Sequence, residues 1–449
     1  MTWPSSNLYR HLTSSAASAA RPFNSTRADL TSLLGRAPSA TAILIGEASH
    51  GTQDFYHLRA VITKHLIQHD GLSAVAVEAD WPDAYRVNRF VRGEGPDADA
   101  NAALSGFERF PSWMWRNTEV LSFVRWLREW NDEHPKRKVG FYGLDLYSLA
   151  TSIRAVIAYL DKVDPEAAKR ARDRYACFDH FAADSHAYGY AVSAGILEPC
   201  EDEVVKQLME LRNNASDYAN RDGQVAQEDF FFAEQNALLA KNAEEYYRAV
   251  FRGRHSSWNI RDCHMADIFD ALVRYLERVN NGRRPKIAVW AHNSHLGDAR
   301  ATEMGERGEL NLGQLLRERY GSDAQSIGFT TYDGTVTASS DWDSHGERKV
   351  VRPALDGSIE ALMHSVGMPQ FVLDLHDQRL GGFAAPLLER AIGVIYRPQT
   401  ERQSHYFHAR VTEQFDSLIH VDRSTALVPL EPSPHWYHGE VPETYPSGL

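Results

Sequence analysis

The chain has 449 residues, 43% hydrophobic and 11% aromatic, enough for a large buried core and, by length, for about three domains. A formal net charge of -12 and a pI near 5.9 work against a phosphate backbone as partner, which excludes a primary nucleic-acid role. No run approaches the roughly 18–20 apolar residues of a membrane span, and "MTWPSSNLYRHLTSSAASAARPF" lacks the charged start and apolar stretch of an export leader.

The expectation is therefore a soluble, cytoplasmic protein that does not bind membranes. The three cysteines, Cys177, Cys200 and Cys263, share no metal-like spacing and are expected as free thiols, with a Cys177–Cys200 pair as the alternative.

Short apolar runs mark strands in chain order: "TAILIG" (41–46), "SAVAVE" (73–78), "KVGFYGLD" (138–145), "KIAVWAH" (286–292), "SIGFTT" (326–331), "QFVLDL" (370–375) and "IGVIYR" (392–397). Continuous apolar runs suit strands covered on both faces. Between the first two, Phe55, Leu58, Val61, Ile62, His65 and Leu66 recur at helical spacing, and Gly71 stands as a C-cap. Alternation of strands and helices predicts an α/β fold whose central sheet is largely parallel and flanked by helices. Residues 150–257 show helical periodicity without a convincing strand. The predicted organisation is a first part of the α/β core over 1–149, an all-helical insertion over 150–257, a second part of the core over 258–428, and a proline-rich tail over 429–449 laid on the body.

Ionisable residues collect after the strands. Glu47 and His50 follow the first, and Glu78 and Asp80 end the second. Asp145 ends the third; His292 and His295 follow the fourth; Tyr332 and Asp333 follow the fifth; Asp374 and His376 follow the sixth. In parallel sheets the carboxyl ends of strands line the ligand crevice, so these predict one functional rim. The bland readings are that Glu47 and His50 cap the next helix and that Glu78 pairs with Arg59 or Arg86. His57, His65 and His69 read as ordinary helix residues. In "FERFPSWMWRNTEVLSFVRWLREW", Trp126 and Trp130 read as core, whereas Trp113, Trp115 and the adjoining Arg116 read as a pocket wall.

Several chemistries are testable against these residues. A G-x-S-x-G elbow is missing, and so are HExxH and the phosphate-binding glycine motifs. Glu47, His50, Glu78, His292 and His295 are all possible ligands, so a metal hydrolase stays open as an alternative. Direct activation of water by an imidazole braced by a carboxylate needs no metal or cofactor, and the rim holds each part.

The motifs "GEASHGT" (46–52), "VAVEADW" (75–81), "FERFPSWMWRN" (107–117), "FYGLDLYSL" (141–149), "QNALLAKNAEEYYR" (235–248), "WNIRDCHMA" (258–266), "WAHNSHLGDA" (290–299), "GFTTYDGTV" (328–336) and "PETYPSGL" together resemble the erythromycin esterase family, from about residue 40 to the end. The resemblance implies an α/β body with inserted helices, hydrolysis of a macrolide lactone ester, and a histidine base working without a metal. It places the base on His50, oriented by Glu47, with Glu78, Arg59, His292 and His295 completing the site. Cys263 departs from the family, which often has a basic residue there. The family is broad, and some members carry labels such as succinoglycan biosynthesis protein.

The resulting expectation is a hydrolase of a small-molecule carboxylic ester or lactone. Glu47, His50, Glu78, His292, His295 and Arg59 would be catalytic, and Trp113, Trp115, Arg116, Asp145, Tyr332 and His376 would line the substrate. A non-catalytic binder of an apolar or haem-like ligand is the alternative from another class. Substrate and oligomeric state are not legible.

Overall fold

A computed structural model describes residues 6–23, 34–35, 37–181, 184–219, 224–251 and 254–438. Its strands, in chain order, are β1 (Arg21–Pro22), β2 (Ala42–Ile45), β3 (Ala74–Asp80), β4 (Gly140–Asp145), β5 (Ile287–Trp290), β6 (Ala324–Thr330), β7 (Asp333–Ala338), β8 (Glu347–Val351), β9 (Gln370–Asp374), β10 (Leu387–Arg390), β11 (Tyr406–Ala409), β12 (Ser417–Val421) and β13 (Arg423–Ser424). Eight of these form one sheet in the order β1-β9-β12-β6-β2-β5-β3-β4; β7, β8 and β13 form a second sheet, and β10 pairs with β11. The six strands from β12 to β4 are parallel to one another.

The central strands are buried along their whole length because both faces are covered. Alternate side chains go to opposite cores, as the two-residue period of a strand requires. Ala42, Leu44, Ala74, Ala76, Ile287 and Val289 pack under the helices that follow β4. Ile43, Ile45, Val75, Val77, Ala288 and Trp290 pack against helices Gln53–His65, Trp81–Arg92 and Thr118–Glu133. Between β4 and β5 the described residues form helices, including Leu149–Val163, Gln224–Val250 and Arg254–Val279, and no strand occurs among them. Their core is continuous with one sheet face, so they form a layer over the sheet.

Three expectations are corrected. The run 370–375 is a strand, but β9 pairs antiparallel with β12, so its carboxyl end lies at the opposite edge from the other strand ends. The run 392–397 is not a strand; it makes isolated bridges, Ser49 with Ile392 and Ser339 with Ile395. Cys177 and Cys200 are joined in a disulfide, which removes the free-thiol argument for a reducing compartment, and Cys263 is the free cysteine. No helix among the described residues is long and apolar enough to cross a membrane. The proline-rich tail is described as far as residue 438, with Trp436 Nε1 donating to Thr337 Oγ1 at 2.8 Å, and residues 439–449 lie outside the described residues.

Register positions the rim. Trp290 of β5 is level with Ile45 of β2 on one side and with Val77 of β3 on the other. Glu47, His292 and Glu78 therefore emerge within two residues of one level. The segment between β2 and its helix is held by backbone: Gly46 N donates to Ile327 O, and both Thr337 N and Leu427 N donate to Gly51 O at 2.9 Å. A Cβ on Gly51 would sit 1.7 Å from the Thr337 carbonyl oxygen, and one on Gly46 2.2 Å from Asn293 Oδ1. Only glycine fits such an approach. Gly51→Ala is expected to cost about 3 kcal/mol or more, the upper range of overpacking, seen as a lowered urea midpoint with activity lost alongside.

Candidate active site

The turn after β2 sends Glu47 and His50 inward. His50 Nδ1 donates to Glu47 Oε1 at 2.9 Å, and Glu47 Oε2 lies 2.8 Å from Arg59 Nη2. Neither residue caps the following helix, whose N-cap is Thr52. Arg59, on helix Gln53–His65, is fully buried over the Tyr56 and Trp290 rings, behind Glu47. Arg59 thus meets the cluster through Glu47. It balances the Glu47 charge, so Glu47 keeps a fixed orientation toward the imidazole.

A second chain of bonds runs from β3 to the helix Arg254–Val279. Glu78 accepts from His292 N at 2.9 Å and from Arg261 Nη2 at 2.7 Å. Neither Arg59 nor Arg86 is its partner, since Arg86 binds Asp97. Arg261 also donates through Nε and Nη2 to Asp145, at 3.0 and 2.7 Å. His295 Nδ1 donates to Asp262 at 2.9 Å, while its Nε2 lies 3.3 Å from Glu78 Oε1 and 3.1 Å from Arg261 Nη1. Trp258 stacks on the His295 ring at 4.5 Å, one turn before Arg261 and Asp262.

Electrostatics separates the histidines. Burial lowers the affinity of His295 for a proton, but Asp262 and Glu78 outweigh it and push its pKa to about 9. Burial and the neighbouring His50 press His292 down to about 3, which leaves it neutral. Glu78 is raised by burial yet held well below the usual carboxylate range by His295, His50 and Arg261. The His50 and His292 rings are 4.8 Å apart, so an uncharged imidazole stands next to one backed by a carboxylate. Among the described residues no three His, Cys, Asp or Glu side chains group as a metal ion needs; the ligand-type atoms here face arginine or one another.

Two cavities open over this network, one of about 180 Å³ and one of about 470 Å³. Of the residues expected at the substrate, Trp115 and Asp145 border the smaller, with Asp145 fully engaged by Arg261. Trp113 and Arg116 border a separate surface cavity, where Arg116 pairs with Glu431. Tyr332 is drawn away because the chain leaves β6 toward β12: its N donates to Asp422 O, and its ring stacks on His364. His376 lies at the opposite edge of the sheet, bonded to Asp416, because β9 runs antiparallel. The structure thus gathers Glu47, His50, Glu78, His292, His295 and Asp145, and leaves Tyr332 and His376 outside.

Sequence reasoning left out Arg261 and Asp262 from the site. The signal available was a polar pair within "WNIRDCHMA", on a helix whose neighbouring positions are apolar. It also missed Arg109, which donates to Asp80 at 3.0 Å and lies over the Tyr147 ring in the smaller cavity. Nothing in the spacing of a loop arginine advertises that role.

Because the folded pKa of His295 exceeds its ordinary value of about 6.5, its contribution to stability is complete below about 6.5 and is lost as pH rises through about 9. In ¹⁵N-histidine NMR one imidazole should titrate near that value. Asp262→Asn should move it down, since burial then dominates, and should flatten the loss of stability between pH 7 and 10.

Comparison with known proteins agrees with this frame. The erythromycin esterase family model matches residues 67–424. Erythromycin esterase type II of Escherichia coli is 24% identical over 307 residues, covering 66% of this chain and 70% of that protein. Type I of the same organism is 23% identical, covering 66% and 71%. Among solved structures, a succinoglycan biosynthesis protein superimposes with a TM-score of 0.75 at 18% identity, covering 95% of this chain and 100% of the other. A Bacillus cereus protein gives 0.76 at 19%, covering 94% and 99%. An erythromycin esterase mutant in its open conformation gives 0.67 at 17%, covering 96% and 100%. The structural likenesses speak to the fold, and the family model spans most of the sequence: the chain belongs to the erythromycin esterase family.

Proposed function

We propose that the chain hydrolyses a carboxylic ester or lactone by water that His50 activates. One observation carries this reading: the imidazole whose Nδ1 is held by Glu47 borders both cavities. With Nδ1–H committed to the carboxylate, Nε2 is the basic nitrogen. Water gives its proton to Nε2 as its oxygen bonds to the carbonyl carbon, and the carbonyl π electrons move to oxygen. Collapse of that intermediate breaks the C–O bond, and the imidazolium returns the proton to the leaving alkoxide. The products are an acid and an alcohol, joined in one molecule for a lactone.

Glu47 supports the imidazolium formed in the first step, and Arg59 holds Glu47 in place from behind. Cationic Arg261 and His295 favour the developing oxyanion, and neutral His292 adds a donor beside it. Arg261 takes the place expected for Arg59. Glu78 and Asp145 orient that cationic pair. The macrolide esters named for the Escherichia coli relatives are the first substrates to try.

His50→Ala should lower kcat by about 10²–10⁴-fold while circular dichroism stays unchanged. Glu47→Gln, which keeps the shape but removes the charge, should lower kcat by about tenfold or more with little change in KM. Steady-state mass spectrometry of macrolides, lactones and simple esters, read as a mass gain of one water for a lactone and as separate acid and alcohol for an acyclic ester, checks both variants. Near-full activity of His50→Ala would end the proposal. Activity that vanishes with EDTA and returns with zinc would replace it by the metal reading.

A further inference from the structure

The two cavities differ in size and in the residues that line them. The smaller has Phe107, Phe110, Trp115 and Trp342 along its apolar side and Asp83 and Arg109 on its charged side. The larger has Thr302, Glu303, Arg307, Glu309 and Asn311 among its lining beside apolar Met304, Ile395 and Phe407, and is the one of the two that falls within the roughly 300–1,000 Å³ of small-molecule sites. Four residues border both: His50, Glu78, Arg261 and Val394. Three are the ionisable residues already described; Val394 is the apolar one and comes from a distant part of the sequence.

Val394 is held in place by backbone bonds on either side. His50 N donates to Ile392 O and Ile392 N to Ala48 O, while Ser339 N donates to Val394 O and Tyr396 N to Ser339 O. The apolar run 392–397, which reads as a strand in the sequence, is thus a fixed bar tied both to the base and to the end of β7. The same β7 end leads into the turn 339–346 that carries Trp342. This indole is 58% exposed, with its ring 5.2 Å from Phe110, at the edge of the smaller cavity. Large apolar side chains are left in water at a cleft where a ligand covers them.

We propose that Val394 and Trp342 are specificity-determining residues, selecting esters or lactones that are bulky on both sides of the scissile carbonyl. The apolar half lies in the smaller cavity against Trp342 and Phe110. The larger, hydroxyl-rich half fills the larger cavity, against Thr302, Glu303 and Asn311, and Val394 packs on the atoms flanking the carbonyl. This inference rests on the hydrolase reading and adds to it a substrate shape.

Two matched pairs of esters test it: methyl 2-naphthoate against 6-O-(2-naphthoyl)glucose, and 2-naphthyl acetate against 2-naphthyl gluconate. In at least one pair the two-sided ester should have a kcat/KM about tenfold or more above its one-sided partner, the scale of discrimination by pocket contacts. Val394→Phe, which narrows the waist, should shrink that ratio, and Trp342→Ala should raise KM for the two-sided ester more than it changes kcat. Ratios within about twofold in both pairs, or ratios unmoved by both variants, overturn the inference. If Val394→Phe does not fold, Trp342→Ala, at an exposed position, decides alone. If the wild type cleaves no ester, the hydrolase reading falls. The inference is then read by calorimetry with the ether analogue of 6-O-(2-naphthoyl)glucose: weaker binding to Trp342→Ala than to wild type supports it, and equal or undetectable binding overturns it.

Discussion

The level ending of three parallel strands is the constraint on which the site depends. β5 lies between β2 and β3, and their registers place Ile45, Trp290 and Val77 side by side. Whatever follows those residues must meet. A slip of one residue in any pairing would send alternate side chains to the wrong core and move the base away from its neighbours. The fully buried strands and their two opposed cores make such a slip costly, so the reaction geometry inherits its precision from sheet packing.

On that platform the protein maintains an unusual density of buried charge. Arg261 bridges Glu78 and Asp145, His295 lies between Glu78 and Asp262, and Glu47 lies between a histidine and an arginine. Such pairs add little net stability relative to an apolar core, but removing one partner typically costs about 3–5 kcal/mol because the other charge is stranded. The arrangement is better understood as preorganisation: dipoles and charges are fixed before substrate arrives, so they need not reorient as charge develops. The helix Arg254–Val279 is central here, since Trp258, Arg261 and Asp262 share one face and reach β3, β4 and the turn after β5 together.

Much of this was legible in the sequence where local pattern and tertiary position coincide. The first five apolar runs became β2 to β6, and the residues directly after β2, β3 and β5 converged. Legibility ended where direction or partner was set by distant chain. Nothing within "QFVLDL" says that β9 runs against its neighbours, yet that alone puts His376 at the other edge. The run 392–397 has strand-like composition but is used as a rim element, because its partners are single residues on two separate segments. Arg59 sits close in sequence to Glu47, and the helix Gln53–His65 places it behind the acid. Arg261 reaches both cavities from a helix more than 200 positions further along the chain, information that spacing does not contain.

The turn bearing His50 is tethered by Ile327, Thr337, Ile392, Thr425 and Leu427. These anchors lie roughly 280–380 positions later in translation. A ribosome-bound chain can therefore complete much of its early sheet and still lack a positioned His50, because contacts between such remote segments close late. The His50 cluster is therefore assembled only once the segments up to Leu427 have been made.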